Sequence, residues 1–336
     1  MYDVIIIGSG PAGMTAAIYC QRFLLKTLLV AGRLWGGQLQ NTTDVENFPG
    51  MGQITGPQLL KKMREHVEHL GVEILDVWAT DINPSAQPFT VKLEEGKEVY
   101  GRSIIIATGA DTKWLGVPNE ERLRGRGVSA CAPCDAFFFR GKPVAVVGGG
   151  DTAMEEAQVI ANVASDVVLI HRRDEFRAQD AMVEKVKSKK NVRFLYNTRV
   201  VDMTGEDVLT GLLLDTPSIS PKQGVSSFDE LVKTFGGKQR GGTQWILPRA
   251  GVFVAIGLVP NTKFLKGFAV DERGYLKRVE EHDEHGNILY FTQTTVPGIF
   301  TAGDVHDARY KQAITAAGFG CMAALDVEKW LSENEH

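Results

Sequence analysis

The chain has 336 residues, 43% of them hydrophobic and 23% charged, with a formal net charge of -4. That composition is globular and long enough for two buried cores. It excludes a general nucleic-acid binder, since no basic block is present to track a phosphate backbone, and no apolar run approaches the roughly 20 residues of a membrane helix.

The first element is an apolar strand, Val4–Ile7, which begins so early that a signal peptide has nowhere to sit. A cytoplasmic location is the expectation. The glycine loop Gly8-Ser9-Gly10-Pro11-Ala12-Gly13 follows, then a helix to about Phe23 and a second strand, Thr27–Val30. A strand before and a helix after give such a loop its meaning. Glycines allow the tight turn and bring the backbone close to a pyrophosphate whose charge sits at the helix N-terminus.

An apolar strand, Ser103–Thr108, comes next and ends in Gly109-Ala110. Two of the four cysteines then stand as Cys131-Ala132-Pro133-Cys134. That spacing reads as redox or metal chemistry. No second pair at ligand spacing exists, so no metal site is expected. Cys20 and Cys321 fall on apolar-periodic helical stretches and read as buried small hydrophobes.

The first pattern then recurs. Pro143–Val147 is a strand, Gly148-Gly149-Gly150-Asp151-Thr152-Ala153 a loop, the helix runs to about Val163, and Asp166–Ile170 is the next strand. Gly148, Gly150, Asp151 and Thr152 are the candidate nucleotide contacts. About 20 residues beyond such a loop, NAD enzymes carry an acid for the ribose 2′-hydroxyl. Here His171-Arg172-Arg173 ends the strand and Arg177 lies one turn on. Guanidinium forks suit a 2′-phosphate, so the coenzyme is read as NADPH. The competing reading is a solvated basic face.

Residues 217–242 are rich in Ser, Gly, Lys and Gln and read as a long surface loop, with one helical turn around Phe228–Phe235 and no capacity to bury a core. Gly251–Gly257 is a further apolar stretch, and the chain returns to the first pattern near Gly298–Asp304. Gln312–Leu331 reads as an alanine-rich amphipathic helix packing on the nucleotide site, and Glu333–His336 as a frayed tail. The expected fold class is α/β, with two Rossmann-like nucleotide-binding domains. Residues 116–254 form the inserted one, and residues 1–115 with 255–336 the split one. Pro118 and Pro260-Asn261 mark the linkers.

The motifs, in order, resemble a family. They are Gly8–Gly13, Gly36-Gly37-Gln38-Leu39, Glu46-Asn47-Phe48-Pro49-Gly50, Ala107-Thr108-Gly109-Ala110, Cys131-Ala132-Pro133-Cys134-Asp135, Gly148–Ala153, His171–Asp174 with Arg177, Gly303-Asp304-Val305 and Lys311-Gln312-Ala313. Over nearly its whole length the chain is similar to the low-molecular-weight thioredoxin reductases, which are FAD-containing, NADPH-dependent class II pyridine nucleotide-disulfide oxidoreductases. The resemblance implies FAD in the split domain, NADPH in the inserted one, a homodimer, and thioredoxin as the protein disulfide substrate. The flavin contacts it implies are the loop Gly8, Gly10, Pro11, Ala12 and Gly13, then Gly32, Gly36, Gly37, Gln38, Leu39 and Asn47. Ala107, Thr108 and Gly109 follow, and near the C-terminus Gly303, Asp304, Lys311, Gln312 and Ala313.

Four departures are visible. Ala31-Gly32 stand where a Rossmann pattern places an acid for the ribose, leaving that contact unassigned. Lys311 replaces a common arginine and cannot make a bidentate fork. Pro133 stands where threonine is frequent, and the 217–242 segment is longer than usual.

A disulfide accepts two electrons from a reduced flavin by thiolate chemistry, which needs two bridgeable cysteines and a proton group nearby. Cys131 and Cys134 supply the first. Asp135 is the candidate acid–base group, with a dipole role at a helix start as the alternative. The spacing does not assign the two cysteines; the resemblance implies that Cys134 faces the flavin and Cys131 exchanges with the partner. It also implies a rotation of the inserted domain, with hinges near Gly116–Asn119 and Gly257–Asn261. Rival readings are a reductase of another disulfide protein, a ferredoxin–NADP reductase, which lacks the cysteine pair, a dithiol oxidase, which needs no NADPH, and a nucleotide- or zinc-binding module.

Overall fold

A computed structural model of the chain describes residues 1–41 and 45–334. The chain divides into two compact units, Met1–Asp111 with Val259–His336, and Thr112–Leu258. The second is inserted within the first.

In the first unit the strand Tyr2–Ile7 lies between Thr27–Val30 and Glu98–Ile106, parallel to both, with Ile7 opposite Val30 and Ile106. Ile299–Thr301 adds a further parallel strand on Glu98–Ile106. These runs of Val, Ile and Leu have no polar alternation because both faces of a parallel sheet are covered. Val4, Ile5 and Ile6 are all fully buried. Phe89–Leu93 and Ala79–Asn83 extend the sheet antiparallel.

The helix Pro11–Arg22 starts on a proline, whose missing N–H costs nothing at that position. It packs closely on the C-terminal helix Ala313–Glu333. The approach demands glycine at 320, where a Cβ would stand 2.1 Å from the Ala12 carbonyl oxygen. That C-terminal helix runs further than the frayed tail expected from sequence. Glu333 is its last residue, and its carboxylate accepts a hydrogen bond from the Tyr290 hydroxyl. Residues 335 and 336 of that tail lie outside the described residues.

The second unit repeats the arrangement on a smaller parallel sheet. Pro143–Val147 lies between Asp166–Ile170 and Gly251–Val254, flanked by Val192–Leu195 and Val128–Ser129. A four-stranded antiparallel sheet follows, ordered Arg199–Thr204, Gly211–Asp215, Gln244–Pro248, Lys238–Gly241.

Residues 217–242 therefore differ from the expected surface loop. They hold the helix Phe228–Thr234 and the edge strand Lys238–Gly241. Leu231, Val232 and Phe235 are buried in one core with Trp245, Leu212 and Leu214. The reason lies in spacing. Three apolar residues at helical intervals cover a sheet face even when their neighbours are polar, and Ser227 caps the helix by accepting the Glu230 N–H. Phe235→Ala is accordingly expected to destabilise the unit by about 3–5 kcal/mol. A thermal melt that left this variant within 1 °C of the parent, roughly the effect of a surface substitution, would contradict the assignment.

Cys20 is fully buried, as expected, but Cys321 is only half-buried and lies against the Tyr19 hydroxyl. Its helix exposes Ile314 and Leu325 on the same side, so the periodicity that suggested burial marks the margin of the core.

Candidate active site

The first glycine loop is closed by contacts that admit no side chain. A Cβ on Gly8 would stand 2.3 Å from the Ala107 carbonyl oxygen, and one on Gly13 1.8 Å from that of Gly8. Gly10 differs, since its nearest neighbour would be the Gly36 oxygen at 3.8 Å. It is also the N-cap of the helix Pro11–Arg22 and carries no side-chain cap. The first turn, which includes Ala12 and Gly13, thus has no side-chain cap, and such a helix start stabilises an anion. Gly13→Ala is expected to weaken FAD retention. Overpacking costs about 1–3 kcal/mol, and each 1.4 kcal/mol is about tenfold in affinity. Flavin absorbance per chain after dialysis measures it, and full retention would show that the loop yields elsewhere.

Ser9 completes this loop, and sequence reasoning missed it. Its hydroxyl donates to the Ala31 carbonyl at 2.7 Å and accepts the Gly36 N–H at 2.9 Å. One buried side chain thus ties the glycine loop to the Gly32 and Gly36–Gly37 turns, all at positive φ. The remaining flavin candidates gather on the same unit. Leu39 packs on its core, and the Gln38 amide donates to Asp111 at 2.8 Å. The Asn47 amide donates to Gln312 at 3.3 Å across 265 residues of chain. Thr108 and Asn261 exchange two hydrogen bonds, hydroxyl to carbonyl at 2.9 Å and amide to carbonyl at 3.1 Å. Ala107 donates its N–H to Ile7, and Gly109 accepts that of Asn261.

Gly303, at φ 77°, lets Asp304 start a short turn against Ala12. Burial, aided by nearby Asp307 and opposed by Lys311, pushes the Asp304 carboxyl up to about 7. It accepts no hydrogen bond from the described residues. Asp307 collects the N–H groups of Arg309, Tyr310 and Lys311. Gln312 caps the C-terminal helix reciprocally with Thr315, and Ala313 is its first residue. A half-buried carboxyl that accepts no hydrogen bond among the described residues suits a polyhydroxyl ligand, and an uncapped helix start suits a pyrophosphate. The residues present fit FAD.

The second loop is built alike. Gly148 meets the Ala255 oxygen, while Gly150 has open space and caps the helix Asp151–Ala161 without a side-chain bond. Thr152 is in its first turn, and Asp151 accepts the Gln179 N–H at 2.9 Å. Gly149 was passed over as a contact. Its missing side chain makes room for the His171 ring, which a Cβ would approach to 2.1 Å. Burial, joined by Arg173, Arg177 and Arg172, holds His171 below its ordinary pKa against an opposing bond to the Glu175 carbonyl. The ring is fixed against the glycine loop by that bond and by its contact with Gly149. The Arg177 N–H donates to the Gly149 carbonyl at 2.7 Å, which fastens the arginine segment to the glycine loop. Arg172, Arg173 and Arg177 are exposed and make no ion pair among the described residues. Three uncompensated guanidinium groups beside an open helix start fit the phosphates of NADPH.

Cys131 and Cys134 form a disulfide, Cα–Cα 5.3 Å, at the start of the short helix Ala132–Asp135. Ser129, at the end of the strand Val128–Ser129, accepts the Cys131 N–H at 3.1 Å and donates to Asp135 at 2.6 Å. Ser129 thus links the Asp135 carboxylate to the Cys131 backbone. The buried Glu156 accepts the Ala132 N–H. Neither Ser129 nor Glu156 has a sequence signal, because each meets the pair through a backbone amide that any residue could offer.

Residues 2–320 match the family described as pyridine nucleotide-disulphide oxidoreductase. A glucosaminate ammonia-lyase of Pseudomonas fluorescens is 44% identical over 333 residues, covering 98% of this chain and 95% of the relative. A thioredoxin reductase of Escherichia coli O157:H7 is 43% identical over 334 residues, with 98% and 95% covered. Among solved structures, the thioredoxin reductase from Streptococcus pyogenes MGAS5005 superposes with a TM-score of 0.84 at 36% identity over 99% of both chains. The chain belongs to the pyridine nucleotide-disulphide oxidoreductase family.

Proposed function

We propose that the chain is a thioredoxin-disulfide reductase that carries electrons from NADPH through FAD and the Cys131–Cys134 disulfide to oxidised thioredoxin. The observation that carries this reading is the Cys131–Cys134 disulfide beside Asp135, in a chain with two separate glycine cradles. Bound FAD supplies a two-electron relay between the nicotinamide hydride and the disulfide. The split domain, residues 1–115 and 255–336, holds FAD on the Gly8–Gly13 amides and Asp304. Residues 116–254 hold NADPH on the Gly148–Thr152 loop and on Arg172, Arg173 and Arg177. Cys134 takes the incoming electron pair, Asp135 manages the proton, and the Cys131 thiolate attacks the partner disulfide. The net exchange is NADPH, a proton and a protein disulfide giving NADP and a dithiol.

The active form is read as a homodimer. Tyr19 on the first helix with Ile314, Cys321 and Leu325 on the last forms an apolar face one turn to the next, with Tyr19, Ile314 and Leu325 exposed. The location is read as cytoplasmic. No helix among the described residues is long and apolar enough to cross a membrane.

The name of the Pseudomonas fluorescens relative makes the test two-sided. Purified enzyme is given NADPH with a panel of oxidised thioredoxins and glutaredoxin-like proteins, and separately glucosaminate. NADPH oxidation dependent on a thioredoxin is expected. Ammonia release from glucosaminate, with no thioredoxin turnover, would replace this reading.

A further inference from the structure

We infer that Glu156 is a positioning residue of the redox centre and that its carboxylate, acting through the Ala132 N–H, keeps the Cys131–Cys134 pair strongly reducing. The inference rests on the redox role proposed above for that pair.

The argument is a donor count. Around the disulfide, the Cys131 N–H goes to Ser129 at 3.1 Å, and the Ala132 N–H to Glu156. Pro133 has no N–H to offer. The N–H groups of Cys134 and Asp135 both go to the Cys131 carbonyl, at 3.2 and 3.1 Å. Every backbone donor from 131 to 135 is committed. Free amides at a helix start are what ordinarily stabilise a thiolate and lower its pKa. Here a Cys131 thiolate finds none within its own motif, and the amide next to it is turned toward an acidic side chain only 9% exposed.

Glu156 reaches this position from the helix Asp151–Ala161, whose first turn forms the second glycine cradle. Reduction of the pair breaks the S–S bond and takes two electrons from the hydride of NADPH. Of the two protons needed, one arrives with the hydride and one comes from solvent. Anything that disfavours the Cys131 thiolate disfavours the reduced product and lowers the reduction potential, which drives electrons onward to the partner. The carboxyl at 156 does this by engaging the Ala132 amide and, when ionised, by its charge.

The test separates charge from shape. Full-length, FAD-loaded enzyme is equilibrated in mixtures of reduced and oxidised dithiothreitol. The Cys131–Cys134 dithiol is then trapped by alkylation and counted by mass. Glu156→Gln keeps the side-chain length and an acceptor oxygen but removes the charge. It is expected to favour the dithiol about tenfold, a rise of about 30 mV. Glu156→Asp retains the charge and is expected to stay near the parent. An unshifted Gln variant, or an Asp variant shifted as far as Gln, overturns the inference, because a merely structural residue would respond to length rather than charge. Should the Gln variant fail to hold FAD, Ser129→Ala frees the Cys131 N–H. It should shift the equilibrium in the same direction, and its failure to do so overturns the donor argument. No thioredoxin enters the measurement. A wrong partner assignment would show in turnover while leaving this shift intact.

Discussion

Serine at Cys131 or at Cys134 is expected to abolish thioredoxin reduction while leaving reduction of the flavin by NADPH in place. Hydride transfer comes before dithiol chemistry and involves neither sulfur. The serine hydroxyl cannot form the disulfide that receives the electrons or the mixed disulfide that passes them on. The loss should be at least about a thousandfold in kcat/KM, roughly 4 kcal/mol at 1.36 kcal/mol per factor of ten. Anaerobic bleaching of the flavin by NADPH follows the first half of the reaction, and NADPH consumption with oxidised thioredoxin follows the whole. A serine variant that still turns over thioredoxin near the parent rate would remove the pair from the mechanism. A variant that no longer bleaches would place the disulfide before the flavin.

The coenzyme site offers the second large effect. Arg172→Ala combined with Arg173→Ala should raise KM for NADPH at least tenfold and leave that for NADH nearly unchanged. Hydrogen bonds to charged groups contribute about 1.5–3 kcal/mol each, and both guanidinium groups are exposed without an ion pair among the described residues. Burial holds His171 below its ordinary pKa, which disfavours a charge there in their place. Arg177, whose backbone holds the glycine loop, is left in place so that the loop geometry is unchanged. Added salt should weaken NADPH binding in the parent more than in the double variant, since the screened attraction has been removed there. Equal changes for both coenzymes would sink the 2′-phosphate assignment.

Much of this was legible in the residue order. The strands Thr27–Val30, Pro143–Val147 and Asp166–Ile170 stand where their apolar runs end, because burial on both faces of a parallel sheet leaves an unbroken apolar signature. The glycine loops, the C-x-x-C pair and the arginine segment are equally local. Each is a demand of backbone geometry or ligand charge on neighbouring positions. Composition misled where position mattered more. Residues 217–242 are polar in sum, yet Leu231, Val232 and Phe235 sit at helical spacing and fill a core.

What the sequence determined by itself was an inventory: two glycine loops between strand and helix, a C-x-x-C pair and a basic segment. Only the tertiary structure decided which groups serve them. Asn47 meets Gln312 across 265 residues, Thr108 locks to Asn261 across 153, and the Ala132 amide is claimed by Glu156 across 24. The Asp304 carboxyl is pushed up by desolvation and by Asp307, which stands three residues away. Such partnerships depend on loop closure and desolvation, and both are properties of the packed chain. A pattern confined to neighbouring residues carries no record of either.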